Sequence, residues 1–588
     1  MKYFFNHHLN ENFVCLNTES LDELDILSRL PFIYKNKTRS LLYTRFQYLV
    51  NLNRMMKVRP ATSADLKLLK KRFEEIKYYH SLSKDITPPE FPYQKYIKKS
   101  SPIKLKKFQL VGSEYMYRVK QCVMADDVGL GKTIQTLVTL CRLIDEGHIE
   151  GSILIVTLAS VKHQWKNEIL ENIDLKLMPS MRNLCVVEGA LKDRKLLYGL
   201  KRKIYIMNYE QFIFDFSCIA TMKITIDAII CDEASQIKNP SAQRTKKIKT
   251  LMRNVKFKYL LTATPIENKL MDLFSLYDFI DKTIFISHYY FLKCYCIFST
   301  FRLKKSFFVK DSITGKHKRI VKEVGPPIKK FKQYINLEDA KYKFRGYYIR
   351  RTAEGAGVDM PEFVPQLRVV KLLPEQRKLY NKVKDNADMS PIKKRHTLHA
   401  ICNDPESLGE EFLIKSAKIK ELMYLLENDL SDKKIIVFSE YRRFMNVLYR
   451  KLKKYNPLYI HGGVPSSERE RIKQKFNKLA KYKILLATRA AERGLDSPVA
   501  SVIINMDLPD NPSRLKQRAG RGRRLSSKHK YLHIINILGE NTIEQKTVER
   551  IFGKMELFQK FFSEDTPDLV VGNSFYDGLS MDEVNELY

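Results

Sequence analysis

The sequence lacks several features that mark membrane, secreted or zinc-binding proteins. It contains no run of about 18 apolar residues, no signal peptide and no lipidation box. Its nine cysteines show no zinc-ligand spacing, and such unpatterned thiols fit a reducing compartment. We therefore expect a cytoplasmic or, alternatively, a nuclear protein that has no membrane partner.

Acidic residues are scarce relative to basic ones. The chain has 66 Asp and Glu against 104 Lys and Arg, a net charge of +38. Such a surplus predicts a polyanionic partner, with nucleic acid as the leading candidate. With 588 residues, of which 44% are hydrophobic, the chain is long enough for several domains with their own cores.

A glycine-bearing turn follows a short apolar run and precedes an amphipathic stretch. Gly129 and Gly131 allow backbone N–H groups to turn toward phosphate oxygens, Lys132 can reach the β and γ phosphates, and Thr133 can hold Mg²⁺ at a helix N-terminus. Asp126 stands where the general phosphate-loop motif has its first glycine. Taken alone, the pattern also fits an ordinary strand-to-helix turn.

Short β-rich runs alternate with helical patterns in two regions, which predicts two mostly parallel sheets wrapped by helices. The predicted strands of the first region are Cys122–Ala125, Ser152–Thr157, Leu184–Val187, Ile204–Met207, Ile226–Cys231 and Tyr259–Thr262. Those of the second region are Lys434–Ser439, Leu458–His461, Ile484–Thr488, Val502–Met506 and Leu532–Ile537.

Two adjacent carboxylates end one of these strands. Asp232 and Glu233 follow Asp227–Cys231, at the strand edge where open α/β sheets bind ligands. Asp232 can share Mg²⁺ with Thr133, while Glu233 can orient and deprotonate an attacking water. The only tryptophan, Trp165, fits either helix-to-sheet packing or a site role.

A cluster of arginines, Arg514–Arg524, lies near the end of the second region. One interpretation is a basic loop that grips phosphates non-specifically. In a two-lobed ATPase the same residues present arginines across a cleft to the γ phosphate.

With these pieces in place, the chain resembles superfamily 2 helicase-like ATPases and, within them, the SNF2 family of DNA-dependent ATPases. The similar segments are Lys106–Gln109, Ala125–Gln135, Thr157–Glu168, Asn208–Glu210, Asp232–Asn239, Leu261–Asn268, Asp272–Leu276, Tyr348–Thr352, Ile435–Glu440, Ala487–Asp496 and Gln517–Arg524. They fall within residues 101 to 562. The resemblance implies an ATP hydrolase that couples hydrolysis to movement along double-stranded DNA.

The resemblance also assigns roles to individual residues. It places Gln109 on the adenine and Asp127, Gly129, Leu130, Gly131, Lys132 and Thr133 around the nucleotide. It gives Thr133 and Asp232 to Mg²⁺. Catalysis falls to Glu233, Lys132, Arg521 and Arg524, the last two acting on the charge of the transition state.

Two motifs depart from the family pattern. The segment Ala491–Asp496 reads as a general superfamily 2 motif, and the usual Gly-Gln does not follow Arg524. These departures keep two alternatives open: a strand-separating DNA or RNA helicase, and an ATPase that docks on RNA polymerase. RNA polymerase or replication proteins are therefore candidate partners. The abundance of Lys, Ile, Asn and Tyr indicates an AT-rich coding genome, which fits a viral or cytoplasmic-plasmid origin.

The expected fold is α/β, with two RecA-like parallel-sheet lobes and helical N-terminal and inter-lobe insertions. The expected boundaries are 1–100 for a helical accessory domain, 101–282 for lobe 1, 283–410 for a basic insertion with helical elements, 411–562 for lobe 2 and 563–588 for an acidic tail. Helical spacing supports the first domain over Leu41–Leu52 and Leu66–Tyr79, and the prolines and lysines near residues 88–102 indicate a linker. Within the insertion, Phe301–Lys332 holds eleven Lys or Arg against two acids, which predicts a basic hairpin or a solvated charged loop.

Overall fold

The structure is a computed structural model that describes most of both lobes. Residues 2–4, 13–17, 33–35, 42–45, 59–60 and 89–551 are described, the last range with gaps at 222–223, 252, 266–269, 281–287, 311–316, 338–339, 341–346, 410, 490–491, 493–494, 496 and 525. No helix among these residues is long and apolar enough to cross a membrane.

The first lobe is built on a seven-stranded parallel sheet. Its strands are β6 (Gln121–Met124), β7 (Ser152–Thr157), β8 (Leu184–Val186), β9 (Ile204–Asn208), β10 (Ile226–Asp232), β11 (Phe257–Leu261) and β14 (Tyr348–Ile349), in the order β14-β6-β11-β10-β7-β9-β8. Helices cover both faces, and they are α1 (Lys107–Val119), α2 (Lys132–Asp145), α3 (Lys162–Asn172), α4 (Leu191–Gly199), α5 (Tyr209–Thr221), α6 (Gln243–Leu251) and α7 (Met271–Ile280). Because both faces are covered, the central strands are apolar at nearly every position and form a core on each side.

The second lobe is built on a six-stranded parallel sheet. Its strands are β15 (Glu362–Val370), β16 (Ile435–Ser439), β17 (Leu458–Ile460), β18 (Ile484–Thr488), β19 (Val502–Asn505) and β20 (Tyr531–Gly539), in the order β15-β20-β19-β16-β18-β17. Its helices, including the two that follow β15, are α9 (Pro374–Asp385), α10 (Pro391–Asn403), α11 (Ala417–Tyr424), α12 (Arg442–Lys451), α13 (Ser466–Lys478) and α14 (Pro512–Ala519). The predicted α/β class with two parallel-sheet lobes is therefore confirmed, and so are helical elements between the lobes.

Between the lobes, a helix and a long antiparallel ribbon leave lobe 1. Helix α8 (His288–Tyr295) leads into β12 (Cys296–Lys310), which pairs with β13 (His317–Tyr334) from Cys296↔Tyr334 to Lys310↔His317. The predicted hairpin over the basic insertion is confirmed. Its expected turn at Thr314 lies outside the described residues.

Two strands belong to the sheets although the sequence places them in the inter-lobe insertion. Strand β14 joins the edge of the lobe 1 sheet beside β6, and β15 joins the edge of the lobe 2 sheet beside β20. Sequence patterns do not show pairing partners that are distant in the chain. The expected insertion of 283–410 is therefore corrected, because β14 belongs to the sheet of lobe 1 and β15 to the sheet of lobe 2.

The predicted linker near residues 88–102 is also packed against lobe 1. Tyr93 and Tyr96 are fully buried, and the Tyr93 hydroxyl donates to Glu114 at 3.0 Å. Burying the apolar area of these aromatic rings stabilises a packed segment, although the nearby prolines are typical of a linker.

The N-terminal region differs from the helical expectation wherever it is described. It forms a five-stranded sheet of β1 (Lys2–Phe4), β2 (Phe13–Asn17), β3 (Ile33–Lys35), β4 (Leu42–Arg45) and β5 (Arg59–Pro60), in the order β3-β4-β2-β1-β5. The predicted helix over Leu41–Leu52 is thus wrong at β4, where antiparallel pairing with β2 overrides the helical spacing of the leucines. The second predicted helix, Leu66–Tyr79, lies outside the described residues.

Candidate nucleotide and catalytic site

The phosphate loop connects the end of β6 to the start of α2. Gly129 and Gly131 have φ values of 93° and 74°, in the left-handed region that favours glycine. Gly131 is the residue that caps α2, so the first-turn N–H groups of this helix face the loop. The loop therefore has the backbone form that the sequence predicts for binding phosphate.

Lys132 lies over the loop that it follows. Its Nζ donates to the carbonyls of Asp126 and Asp127, at 2.7 and 3.1 Å. Burial lowers the pKa of this ammonium, and the nearby carboxylates oppose that shift. The ammonium thus lies within the loop, where it can meet phosphate oxygens.

Gln109, the residue predicted to read adenine, is buried against the same loop. Its Nε2 donates to the carbonyl of Leu130 at 3.2 Å, and its Oε1 accepts from the N–H of Lys106. A Cβ added to Gly131 would stand 2.5 Å from Gln109 Nε2. The predicted adenine-reading and phosphate-binding residues are therefore in contact.

The side chain of Asp232 is held by three donors at the end of β10. Oδ2 accepts from Thr157 at 2.9 Å and from Trp165 Nε1 at 2.8 Å, while Oδ1 accepts from the N–H of Glu233 at 3.0 Å. A carboxylate has about four acceptor positions, so one remains for a cation or a water. Trp165 is buried, which fits the predicted packing role, and it also donates a hydrogen bond to Asp232.

The described residues contain no cluster of three or more His, Cys, Asp or Glu side chains suited to a metal. Mg²⁺ differs from other metals in this respect, because it is usually bound by one or two protein oxygens together with phosphates and waters. The carboxylate of Asp232 and the hydroxyl of Thr133 are oxygen ligands of the right kind. The chemistry of these donors fits the ion.

Glu233 begins the turn after β10 and faces the second lobe. Its φ of 52° is uncommon for a residue with a side chain. Gln517 Nε2 of α14 lies 3.5 Å from Glu233 Oε2. The carboxylate predicted to activate water is therefore positioned at the junction of the two lobes.

A second contact between the lobes joins Lys516 to the phosphate loop. Lys516 Nζ lies 2.8 Å from Asp127 Oδ1, with both side chains largely buried. Burial favours a higher pKa for Asp127, but Lys516 and Arg350 hold this pKa below its usual value. Sequence reasoning placed Asp127 in the nucleotide site and missed Lys516, whose signal is its position within the basic cluster Arg514–Arg524.

The two predicted arginine fingers take different positions. A Cβ added to Gly129 would lie 3.4 Å from Arg524 Nη1 and 3.0 Å from the Arg523 carbonyl, so this turn of lobe 2 rests on the phosphate loop. Arg521 is buried and donates to the carbonyls of Gln517 and Leu495, both in lobe 2. The structure brings Arg524 to the loop and holds the Arg521 side chain against lobe 2.

Helix α14 is fixed in place by a buried network of charges. Arg518 is fully buried and donates to Glu492 at 2.7 Å and to Glu440 at 2.8 Å, and Arg514 pairs with the same two carboxylates. Buried charges of this kind are tolerated only when paired. Two arginines of the basic cluster are therefore structural, and they hold the helix that precedes Arg521 and Arg524.

Two protein-family models match long parts of the chain. The SNF2-related domain model matches residues 44–422, and the helicase conserved C-terminal domain model matches residues 417–526. An uncharacterised ATP-dependent helicase of Mycoplasma genitalium is 25% identical over 510 residues, which are 82% of this chain and 44% of that protein. A human SWI/SNF-related regulator of chromatin, subfamily A member 1, is 26% identical over 455 residues, which are 74% of this chain and 41% of the relative.

The chain spans less than half the length of these two relatives. Among solved structures, the Sulfolobus solfataricus SWI2/SNF2 ATPase core in complex with double-stranded DNA is 22% identical, with a TM-score of 0.36. The match covers 82% of this chain and 97% of the solved chain. Since the SNF2-related domain model alone matches more than half of the sequence, the chain belongs to the SNF2-related family.

Proposed function

We propose that the protein is an ATPase that uses hydrolysis to move along double-stranded DNA. The observation that carries this proposal is the meeting of the two lobes at the phosphate loop, where Arg524 lies beside Gly129 and Gln517 beside Glu233. In such a site, closure of the lobes completes the set of groups that surround the γ phosphate. Hydrolysis then removes the ligand that favours closure, and the lobes are free to shift along the nucleic acid.

The residues of the site divide the chemical work. Lys132 and the backbone of the loop bind phosphate oxygens, and Gln109 reads the base. Mg²⁺, when bound, neutralises developing charge on the phosphates, and we propose Asp232 and Thr133 as its protein ligands. Glu233 accepts the proton of the attacking water, and Arg524 faces the transferred phosphoryl group.

Movement without strand separation distinguishes this proposal from a helicase. A translocating ATPase displaces a third strand from a triplex in an ATP-dependent reaction and leaves a tailed duplex intact. Separation of the tailed duplex at a similar rate would favour the strand-separating alternative, to which the general form of the motif at Gln517–Arg524 points.

RNA polymerase or replication proteins remain predicted partners, on the basis of the same departures from the family pattern. Co-purification with polymerase in the absence of ATP would support this role. A cytoplasmic location also remains a prediction.

Trp165→Phe is expected to slow ATP turnover about tenfold or more, because a hydrogen bond to a charged group is removed while the ring packing is kept. We also expect the Mg²⁺ concentration for half-maximal turnover to rise, since Asp232 loses one of the donors that orient it. Turnover is measured over a Mg²⁺ series, with Tyr198→Phe as the control for loss of a buried donor elsewhere in lobe 1. Unchanged turnover and Mg²⁺ dependence would reduce Trp165 to a packing residue.

The ribbon of β12 and β13 is our candidate for a DNA-binding element outside the cleft. Its strands are 15 and 18 residues long, so the ribbon reaches roughly 50 Å. It forms a two-stranded sheet of its own, and the sequence between Phe301 and Lys332 is strongly basic. Contacts between basic side chains and DNA phosphates contribute affinity but do not distinguish one base sequence from another.

Replacing Lys305, Lys322, Lys329 and Lys330 with glutamine is expected to weaken DNA binding and flatten its salt dependence. The log-log slope should fall by about 0.9 for each phosphate that the variant no longer neutralises. The matched control removes four exposed lysines elsewhere, Lys192, Lys195, Lys478 and Lys481. An equal slope for both variants would make the ribbon a solvated insertion.

A further inference from the structure

In the part of the chain that the structure describes, residues 350–361 connect the two lobes beside the phosphate loop; we call this segment the connector. It follows β14, at the edge of the lobe 1 sheet, and precedes β15, at the edge of the lobe 2 sheet. Backbone bonds between β14 and β6 continue beyond the strands, since Ala125 N–H donates to the Ile349 carbonyl at 2.7 Å and Asp127 N–H to the Arg351 carbonyl at 3.0 Å. The connector is thus hydrogen-bonded to the phosphate loop from its first residues.

The side chain of Arg351 strengthens this attachment. Its Nε lies 3.0 Å from Asp126 Oδ1 and its Nη2 lies 2.5 Å from Asp126 Oδ2, a two-point pairing of guanidinium with carboxylate. Nη2 also donates to Gln135 Oε1 at 2.8 Å, and Nη1 donates to the carbonyl of Phe108. One guanidinium therefore joins the loop, the helix that follows it and the helix that carries Gln109.

The surroundings are built to hold this guanidinium. Asp126 is fully buried and Arg351 is 6% exposed, so both charges are largely removed from water and depend on each other. A Cβ added to Gly112 would lie 1.9 Å from Gln135 Oε1 and 2.5 Å from Arg351 Nη2, so a side chain at this position would have to displace these two groups. Asp126, which replaces the first glycine of the general motif, is thus the loop's anchor for Arg351.

The far end of the connector also rests on the loop. Met360 and Ala353 pack with Phe108 and Leu130 in a small apolar cluster, and a Cβ added to Gly129 would lie 2.9 Å from Met360 Cε. Two residues later the chain enters β15 of lobe 2. Any movement of lobe 2 relative to lobe 1 therefore acts on a segment whose two ends touch the phosphate loop.

We propose that Arg351 is a positioning residue for ATP, which holds the phosphate loop in its binding form through Asp126 while the connector bends. The proposal rests on the proposed use of ATP at this loop. Arg351 does not face the nucleotide in this role; it acts through Asp126 and Gln135. Loss of Arg351 leaves a buried carboxylate without its partner, and the loop is then expected to shift toward water.

The test is a double-mutant cycle on full-length protein, with Arg351→Met, Asp126→Asn and the double variant. We expect Arg351→Met to weaken equilibrium ATP binding and raise the KM for ATP roughly tenfold or more, and the double variant to recover a large part of that loss. The control is Arg142→Met, which breaks the buried pair of Arg142 with Glu114 (2.6 Å) at the opposite end of α2. This control should lower the melting temperature without changing the KM for ATP.

Additive losses in the cycle, or equal shifts of KM in Arg351→Met and Arg142→Met, would overturn the proposal. If Arg351→Met does not fold, Arg351→Lys keeps the charge and loses the two-point pairing, and it should raise KM by a smaller factor; an unchanged KM would contradict us. ATP binding is measured separately from turnover. Wild-type protein that binds ATP but shows no DNA-stimulated hydrolysis would therefore refute the proposed function, while the binding data would still test the role of Arg351.

Discussion

Replacing Glu233 with glutamine is expected to stop hydrolysis while ATP remains bound. The amide cannot take the proton of the attacking water, and removing a general base of this kind slows a reaction about 10²- to 10⁴-fold. Glutamine keeps the size of the side chain and an oxygen that can still accept from Gln517 Nε2. The geometry of the lobe junction should therefore survive the substitution.

The measurement is hydrolysis in a single turnover, together with equilibrium binding of ATP. Glu150→Gln removes one carboxylate from an exposed position before β7 and serves as the control, with turnover expected to match wild type. Normal hydrolysis by Glu233→Gln would show that another group activates the water. Loss of ATP binding as well would indicate that Glu233 has a structural role.

Removing either arginine finger should slow hydrolysis far more than it weakens ATP binding. The positive charge matters most as negative charge develops on the γ phosphate, and supplying an arginine to this transition state is worth about 10³-fold or more. We expect this loss for Arg524→Ala, whose guanidinium already lies near Gly129. Arg521→Ala is expected to give a similar loss, which requires this side chain to leave the carbonyls of Gln517 and Leu495 when the lobes close.

Arg523→Ala is the matched control, because it removes the same charge from the same turn. The Arg523 guanidinium lies 4.4 Å from the ring centre of Phe363, on the side of β15. Turnover should fall much less in this variant. If instead the finger variants lose only salt-sensitive DNA affinity and keep their turnover, the turn is a phosphate-gripping loop and the finger assignment is wrong.

The sequence predicts the lobes well because their signals are local. Each buried parallel strand is a short apolar run, and the glycines of the phosphate loop must occupy positions where φ is positive. In any fold of this class, the phosphate loop and a carboxylate at the end of a strand lie at the same edge of the sheet. Lys132 and Asp232 could therefore be assigned to one site from the sequence alone.

The pairings that the sequence could not predict join residues far apart in the chain. Arg351 pairs with Asp126, 225 positions away, and Lys516 pairs with Asp127, 389 positions away. Residues so far apart produce no periodic pattern that a single sequence could reveal. The N-terminal strands were missed for a related reason: pairing of β2 with β4 decides their conformation, and isolated leucines at helical spacing carry little information against it.

Dependence of ATP turnover on the type of nucleic acid tests the central claim most directly. Turnover of the wild-type protein is compared without nucleic acid and with single-stranded DNA, duplex DNA and duplex RNA at equal nucleotide concentration and fixed salt. We predict low turnover alone, strong stimulation by duplex DNA and weaker stimulation by the other two. Equal turnover in all four conditions, or greater stimulation by RNA or by single strands than by duplex DNA, would contradict the account.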